Sequence, residues 1–452
     1  MRVCVIGAGP SGIAAARHLI EAGLSVVVYD RGHAVGGNWV FDASSGHSSV
    51  FETTHIISSK KFSEYADFPL PDDAPDYPGH ETLAAYFQAY ADTFGVTPHV
   101  RFGTTVLRCE PVGGVDASDG GFAVTVRDDA TGDEQTETFD KLVVANGHHW
   151  KPRLPDYPGT FSGTFLHSHD FKRAAPFAGK RVLVIGGGNS ACDVAVETSR
   201  VSGQTDLSWR RGYWVVPKFL FGLPGDHIHN FIVDKLSFVP AKARLKGLEL
   251  LLRLMNGPNA AYGLPDPDHP FGTTHPTLNS ELLYFIRHGE IRPRPDVARW
   301  EGRRVHFTDG RSAEYDAVIA CTGFEIAHPF FDPELIDYSE GPVPLYLKMI
   351  PEQHDDLYFI GLFQPLGCIW PSSALQAKIM ARRMAGAWSP PRDLGAAIRH
   401  EMANPDVEQL DTPRHTITVD APLFRQRLLA ELPADFVSRA PVPATRHAEA
   451  AE

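Results

Sequence analysis

The sequence predicts an α/β protein of two Rossmann-like dinucleotide-binding domains, the second inserted into the first. Three observations predict it. Residues 3–12 read VCVIGAGPSG, an apolar run entering a glycine-rich turn. Residues 182–191 read VLVIGGGNSA and repeat the pattern. Three further apolar runs supply more strands: KLVVAN before Gly147, DAVIAC before Thr322 and Gly323, and LYFIGL at 357–362. A parallel strand covered on both faces is apolar throughout instead of alternating. The last run returns the chain to the first unit. The expected boundaries are 1–155 with 326–452 for the outer domain and 156–325 for the inserted one, which carries a helical insertion at about 220–285.

The totals narrow the class. At 452 residues the chain is too long for one compact core. A formal charge of −13 argues against nucleic acid or an anionic membrane surface as partner. No apolar run reaches the roughly 18 residues that span a bilayer, and no signal peptide is expected before a strand that starts at Arg2. Five scattered cysteines, none spaced CxxC, read as buried residues of a reducing compartment, with no disulfide framework and no metal site. The expectation is a cytoplasmic protein.

In the first unit the strand RVCVI leads into Gly7-Ala8-Gly9-Pro10-Ser11-Gly12, then a helix over 10–22 ended by Gly23. Gly7 allows the tight turn, Gly9 lets the backbone approach a pyrophosphate, and Gly12 lets helix and strand close up. The next strand, SVVVY, ends at Asp30 and Arg31. Asp30 lies 18 residues past Gly12, where a carboxylate accepts hydrogen bonds from ribose hydroxyls. Gly36, Gly37, Asn38 and Trp39 then form a turn open to a flat ligand. Residues 58–71 lack any period and hold two prolines, so an ordered loop is expected. Leu83, Tyr86, Phe87, Tyr90 and Phe94 share one face of a helix over 81–94. Residues 100–140 read as a β-meander with its tip at 116–121.

In the second unit Gly186, Gly188 and Ala191 repeat the fingerprint, with Asn189 and Ser190 beside a helix over 190–200. The following strand ends in Trp209, Arg210 and Arg211. An acid there binds the 2′-hydroxyl of NAD, whereas arginines suit the 2′-phosphate of NADP through charge-assisted contacts. Residues 228–257 are helical in pattern and broken at Pro240. They are a candidate cover for the site or a subunit contact, so a homodimer is among the expected assemblies. A hairpin over 305–315 is expected to turn at Asp309-Gly310 in type I′. Residues 371–386 read as a helix carrying Gln376, with Pro and Ser at its start.

Together these motifs resemble the class B flavoprotein monooxygenases, the flavin-containing monooxygenases in particular. Residues 161–171, FSGTFLHSHDF, carry that family's fingerprint at Phe161, Gly163, His167 and Phe171. Baeyer–Villiger relatives usually have Trp at the last of these. GNSACD at 188–193, RRGYW at 210–214, HPTLNSEL at 275–282, ACTGF at 320–324 and the LQAK helix from Leu375 also match. The resemblance runs to about residue 390. It implies FAD on the first domain and NADPH on the second, with Gly147, Thr322, Gly323 and Gln376 among the cofactor contacts. NADPH would reduce the flavin, and dioxygen would add at C4a to give a hydroperoxide. A small-molecule soft nucleophile, an amine nitrogen or thioether sulfur, would take the distal oxygen. His167 would hold the linker between domains through backbone hydrogen bonds.

One departure stands out. The family commonly carries an Asn near the flavin in the loop before the serine pair. Here that position is Ile57, in HIISSK. Isoleucine offers no side-chain hydrogen bond, so either His55 or Ser58 substitutes or the intermediate is less protected, and the expectation is more hydrogen peroxide than a typical family member releases, or different substrate demands. The competing readings are a Baeyer–Villiger or N-hydroxylating monooxygenase, an oxidase-like flavoprotein that releases peroxide, and a nucleotide-sensing protein. A pyridine nucleotide–disulfide reductase needs a redox cysteine pair that the sequence lacks. Trp39, Phe62 and Trp370 are candidate pocket residues, each equally consistent with core.

Overall fold

The computed structural model describes residues 1–42, 47–114, 120–236, 238–339, 341–407 and 416–433. Most of the expected meander tip lies outside these residues. The chain divides into two units: Met1–Ser48, Ser58–His148 and Ile326–Glu452 form unit 1, and Ser49–Ile57 with His149–Glu325 form unit 2. The sequence reading keeps 49–57 in the outer domain. The structure gathers this strap into unit 2, where Phe51 joins the core.

Unit 1 runs β1 (Arg2–Ile6), α1 (Pro10–Glu21), β2 (Ser25–Tyr29), α2 (His80–Thr93), β3 (Val100–Arg101), β4 (Thr104–Pro111), β5 (Phe122–Asp128), β6 (Glu134–Phe139) and β7 (Lys141–Val144). Unit 2 follows with β8 (Lys151–Pro152), β9 (Thr164–His167), β10 (Arg181–Ile185), α3 (Asn189–Ser199), β11 (Gln204–Ser208) and β12 (Val215–Val216). A short hairpin, β13 (Phe219–Leu220) and β14 (Leu223–Pro224), leads to the insertion helices α4 (Gly225–Lys235) and α5 (Ala241–Asn256). Next come β15 (Thr277–Leu278), α6 (Leu282–Arg287), β16 (Ile291–Arg294), β17 (Val297–Glu301), β18 (Arg304–Phe307), β19 (Ser312–Glu314), β20 (Ala317–Ala320) and β21 (Phe324–Glu325). The return to unit 1 brings β22 (Leu345–Tyr346), β23 (Ile350–Pro351), β24 (Leu357–Phe359) and α7 (Trp370–Met384).

The core of unit 1 is a parallel sheet in the order β24-β7-β1-β2-β3. Val3, Cys4 and Val5 of β1 are fully buried, as a central strand's residues should be. The meander β4-β5-β6 forms its own antiparallel sheet and sends Phe122, Val124 and Val126 into the cluster that holds Cys4, Leu142 and Val144. α7 packs along α1. The 58–71 loop is ordered by side chains: Arg17 of α1 donates two hydrogen bonds to Asp67 (3.1 and 2.7 Å), and Tyr65 donates to Pro10 O (2.7 Å).

Unit 2 repeats the design, with parallel order β16-β11-β10-β20-β9. The fingerprint stretch 161–171 contributes an edge strand, β9, which its polar residues do not advertise. Its partner β20 supplies the main-chain pairing that makes it one. The hairpin between β18 and β19 also departs from expectation. Gly310 is left-handed (φ +83°), but Asp309 is not among the positive-φ residues, so the turn is not type I′. The Asp309 carboxylate instead accepts from the Arg311 N–H (3.0 Å), a local bond that favours a wider loop.

Asp356, just before β24, joins sheet to meander in unit 1. It is 5% exposed. It accepts from the Gly120 and Gly121 N–H groups (2.9 Å each) and pairs with Lys141. Asp356→Ala leaves a cation and two amides without their partner. It is expected to destabilise unit 1 by about 3 kcal/mol, measured as a lower urea midpoint with native circular dichroism kept in buffer.

Candidate functional site

In unit 1 the end of β1 cannot continue as strand. Gly7 has φ +104°, and a Cβ on it would lie 2.5 Å from Ala145 O, just beyond β7. A Cβ on Gly12 would lie 1.8 Å from Gly7 O. These two positions therefore admit only glycine, and they bring α1 down onto the turn. Gly9 is the N-cap of α1, with Pro10 following and no side chain capping the helix. The first amides, Ser11 among them, remain for an anion, where the helix dipole favours it. A second glycine turn crosses the first. Gly36 N–H donates to Ala8 O (3.0 Å), and a Cβ on Gly37 would lie 2.9 Å from Gly9 Cα. Asn38 and Trp39 complete this one-turn 3-10 helix.

Asp30 is buried, and its two oxygens accept from Ala8 N–H and Gly32 N–H (2.6 Å each). Burial raises its pKa, and those two amides oppose the rise. The carboxylate thus braces the turn first and has only its remaining lone pairs for a ribose. Arg31 is exposed and hydrogen-bonded to His47 Nδ1 (2.8 Å). Gly147 is left-handed (φ +71°) with open space around its Cα. Gln376 corrects an expectation. It is fully buried, accepting from Gly361 N–H (3.0 Å) and donating to Leu347 O (2.8 Å) and Lys348 O (3.3 Å). Its amide is committed to backbone. Trp370 is core as well, with its Nε1–H on Ser63 O (2.8 Å).

In unit 2 the same geometry recurs. Gly186 has φ +136°, and a Cβ there would lie 2.4 Å from Cys321 O, just past β20. Gly188 is the N-cap of α3, and Ala191 is fully buried against the turn. Ser190 is exposed. Asn189 Oδ1 accepts from Leu278 N–H (2.7 Å), so β15 holds one end of this side chain. Thr277 Oγ1 donates to Gly187 O (2.7 Å), and the ring of Tyr213 fills the space a Cβ on Gly187 would need (2.1 Å). Sequence reasoning passed over Gly187, Tyr213 and Thr277. The RRGYW and HPTLNSEL motifs were the signal that could have found the last two.

The residues after β11 decide the charge at this turn. Arg210 is exposed, and Arg211 lies with its guanidinium 5.4 Å from the Tyr213 ring centroid. The acid on β11, Asp206, is fully buried and engaged by Arg294 Nε (2.6 Å), Tyr315 Oη (2.6 Å) and Gln204 Nε2 (2.9 Å). It is not presented to a ribose; the exposed side chain at the end of this strand is Arg210, while Arg211 lies within electrostatic reach of the exposed Asp268. Thr322 donates to Arg153 O (2.5 Å), and Gly323 O accepts from Arg153 N–H (3.0 Å).

The residues of the 161–171 stretch do packing work. Phe161 tilts against Trp300 (5.7 Å), and Gly163 sits where a Cβ would meet the Phe161 ring at 2.7 Å. Phe171 is buried between Phe51 (5.3 Å) and Phe177 (5.8 Å). His167 Nδ1 accepts from His169 N–H (3.1 Å), and burial holds its pKa down at about 4. The two loop candidates part company. Ser58 belongs to unit 1 and shares a hydrogen bond with Ser63 (2.8 Å), whereas His55 and the half-buried Ile57 belong to unit 2.

The family described as flavin-binding monooxygenase-like matches residues 1–412. The chain belongs to that family. It is 34% identical over 442 residues to flavin-containing monooxygenase 5 of Oryctolagus cuniculus, covering 93% of this chain and 80% of the relative. It is 33% identical over 403 residues to dimethylaniline monooxygenase [N-oxide-forming] 2 of the same species, covering 86% and 74%. The fold is shared with the OTEMO complex with FAD and NADP, at TM-score 0.72 and 18% identity over 95% of this chain and 97% of that one. This flavin-dependent monooxygenase holds no cluster of His, Cys, Asp or Glu suited to a metal among its described residues, and none of its helices there is long and apolar enough to cross a membrane. Four of its five cysteines are buried, and all are free.

The depressed pKa of His167 has a measurable sign. The folded state binds this proton more weakly than the unfolded state, whose ordinary value is 6.5. Stability is full above about 6.5 and falls as pH drops toward about 4. His167→Asn is expected to flatten that decline, measured as urea midpoints across the same pH range.

Proposed function

We propose that the protein oxygenates an amine nitrogen or a thioether sulfur of a small molecule, with FAD on unit 1 and NADPH on unit 2. The observation that carries the cofactor assignment is the pair of glycine turns whose second copy ends in Arg210 and Arg211 while its only strand acid is buried. The oxygen acceptor is supported by the N-oxide-forming relative.

The residues fit the two nucleotides. Gly7, Gly9, Pro10, Ser11 and Gly12 would hold the FAD pyrophosphate, with Asp30 toward the ribose and Gly37, Asn38 and Trp39 across it. Gly186, Gly188, Asn189, Ser190 and Ala191 would hold the NADPH pyrophosphate, with Arg210 and Arg211 toward the 2′-phosphate. Tyr213 lies over the turn at Gly187 and narrows the approach to it. When bound, FAD would supply the redox chemistry that activates dioxygen, and NADPH the reducing equivalents. The chain's own task is to bind, orient and exclude water. No side-chain nucleophile or base is required, which agrees with a neutral, buried His167.

Arg210→Ala is expected to lower kcat/KM for NADPH by about 10- to 100-fold, the loss of a charge-assisted contact, while NADH turnover changes little. Equal losses with both nucleotides would remove Arg210 from the 2′-phosphate. In air, with FAD bound, the wild type is expected to release peroxide above a few per cent of the NADPH consumed, because Ile57 offers no hydrogen bond where the family has Asn. A sulfide or tertiary amine turned over with peroxide below that level would refute the leak. A ketone converted to an ester would replace the proposed acceptor with the Baeyer–Villiger alternative.

A further inference from the structure

The strap Ser49–Ile57 is fixed to unit 2 at both ends. At its start Ser49 Oγ donates to His149 O (2.6 Å) and lies 2.7 Å from His169 Nδ1. Phe51 enters the core against Phe171, and Glu52 N–H donates to Lys172 O (3.0 Å). At its far end the partner is Lys218, just past β12. Lys218 Nζ is in hydrogen-bond contact with His55 Nε2.

The protons at this contact can be placed. His55 Nδ1 is 3.1 Å from Thr53 O, a group that only accepts. Nδ1 therefore carries the hydrogen, and Nε2 accepts from the lysine. Lys218 is 7% exposed, an expensive place for an ammonium. Its backbone N–H donates to Ser280 Oγ (2.9 Å). Burial pulls the Lys218 pKa down, and the charges of Asp193 and Glu281 oppose that pull in part. Asp193 is held in turn by Asn279 Nδ2 (2.7 Å), whose Oδ1 accepts from Glu281 N–H (2.8 Å) and Leu282 N–H (2.6 Å) at the start of α6. Asp193 lies in the first turns of α3, the helix that opens on Gly188.

We propose that Lys218 is a positioning residue that holds the 49–57 strap on unit 2 through His55 and ties it to the helix that forms the second nucleotide turn through Ser280, which its backbone N–H contacts, and the adjoining Asn279, which holds Asp193. Nucleotide binding at that turn and order in the strap are then coupled, and the coupling is reciprocal. The nucleotide half of this statement rests on the NADPH reading above. The strap half does not.

The test is hydrogen exchange on the FAD-loaded full chain, with and without NADP⁺, for the wild type, Lys218→Met, Lys218→Arg and His55→Leu. Lys218→Met is expected to speed exchange across 49–57 by about tenfold, the loss of one hydrogen bond to a charged group. Exchange in β10 should stay unchanged, and Lys218→Arg should restore the strap. NADP⁺ should slow strap exchange in the wild type and not in Lys218→Met. Peroxide released per NADPH should rise in Lys218→Met and fall back in Lys218→Arg. Unchanged strap exchange in a folded Lys218→Met overturns the proposal. If that variant does not fold, His55→Leu, at an exposed side chain, decides in the same way. Faster strap exchange with no NADP⁺ effect in the wild type overturns the coupling. A wild type that ignores NADP⁺ altogether fails the NADPH reading and leaves the strap result standing.

Discussion

Both units depend on the absence of a single carbon. Where β1 and β10 end, a glycine lies so close to a carbonyl beyond the neighbouring strand that any Cβ would overlap it: Gly7 against Ala145 O and Gly186 against Cys321 O, at 2.5 and 2.4 Å. Both glycines also need positive φ, which other residues rarely adopt. The close approach fixes where the strand stops, where the helix starts and which way its first amides point. Everything that makes the turns fit for phosphate follows from that contact, including the register of β7 beside β1 and of β20 beside β10.

The polar groups around the turns show two different uses of charge. Asp30 and Asp206 look alike in sequence, as acids at or near a strand end. Asp30 is spent on amides of its own turn, and Asp206 on Arg294 and Tyr315 inside the sheet edge. With Asp206 taken into the sheet, the strand end carries Arg210 and Arg211 with no carboxylate of its own strand at the surface.

Much of this was legible in the sequence because the signals are local. The glycine turns, the α1, α2 and α7 spans to within two residues, the break at Pro240 and the arginine pair all follow from spacing within about one turn of a helix. The misses have the opposite character. β9 is a strand only because β20 lies beside it. Gln376 sits on a helix in a plausible place, but its amide is claimed by Gly361, Leu347 and Lys348, partners set by tertiary packing. The strap 49–57 has no period, and its anchors at Lys172 and Lys218 lie more than a hundred residues away. Contacts of that separation leave no mark in a single sequence.

The strap also bears on inheritance. The chain passes from one unit to the other at 48/49, 57/58, 148/149 and 325/326, so unit 2 is not one continuous piece. A recombination event that replaced residues 149–325 alone would import a foreign second unit while keeping the host's strap, and Phe51 and His55 would then face partners they had not evolved with. A second unit moved into a relative would keep the partners of Phe51 and His55 only if 49–57 travelled with it, although each unit has, by its own sheet, the form of a complete nucleotide-binding fold.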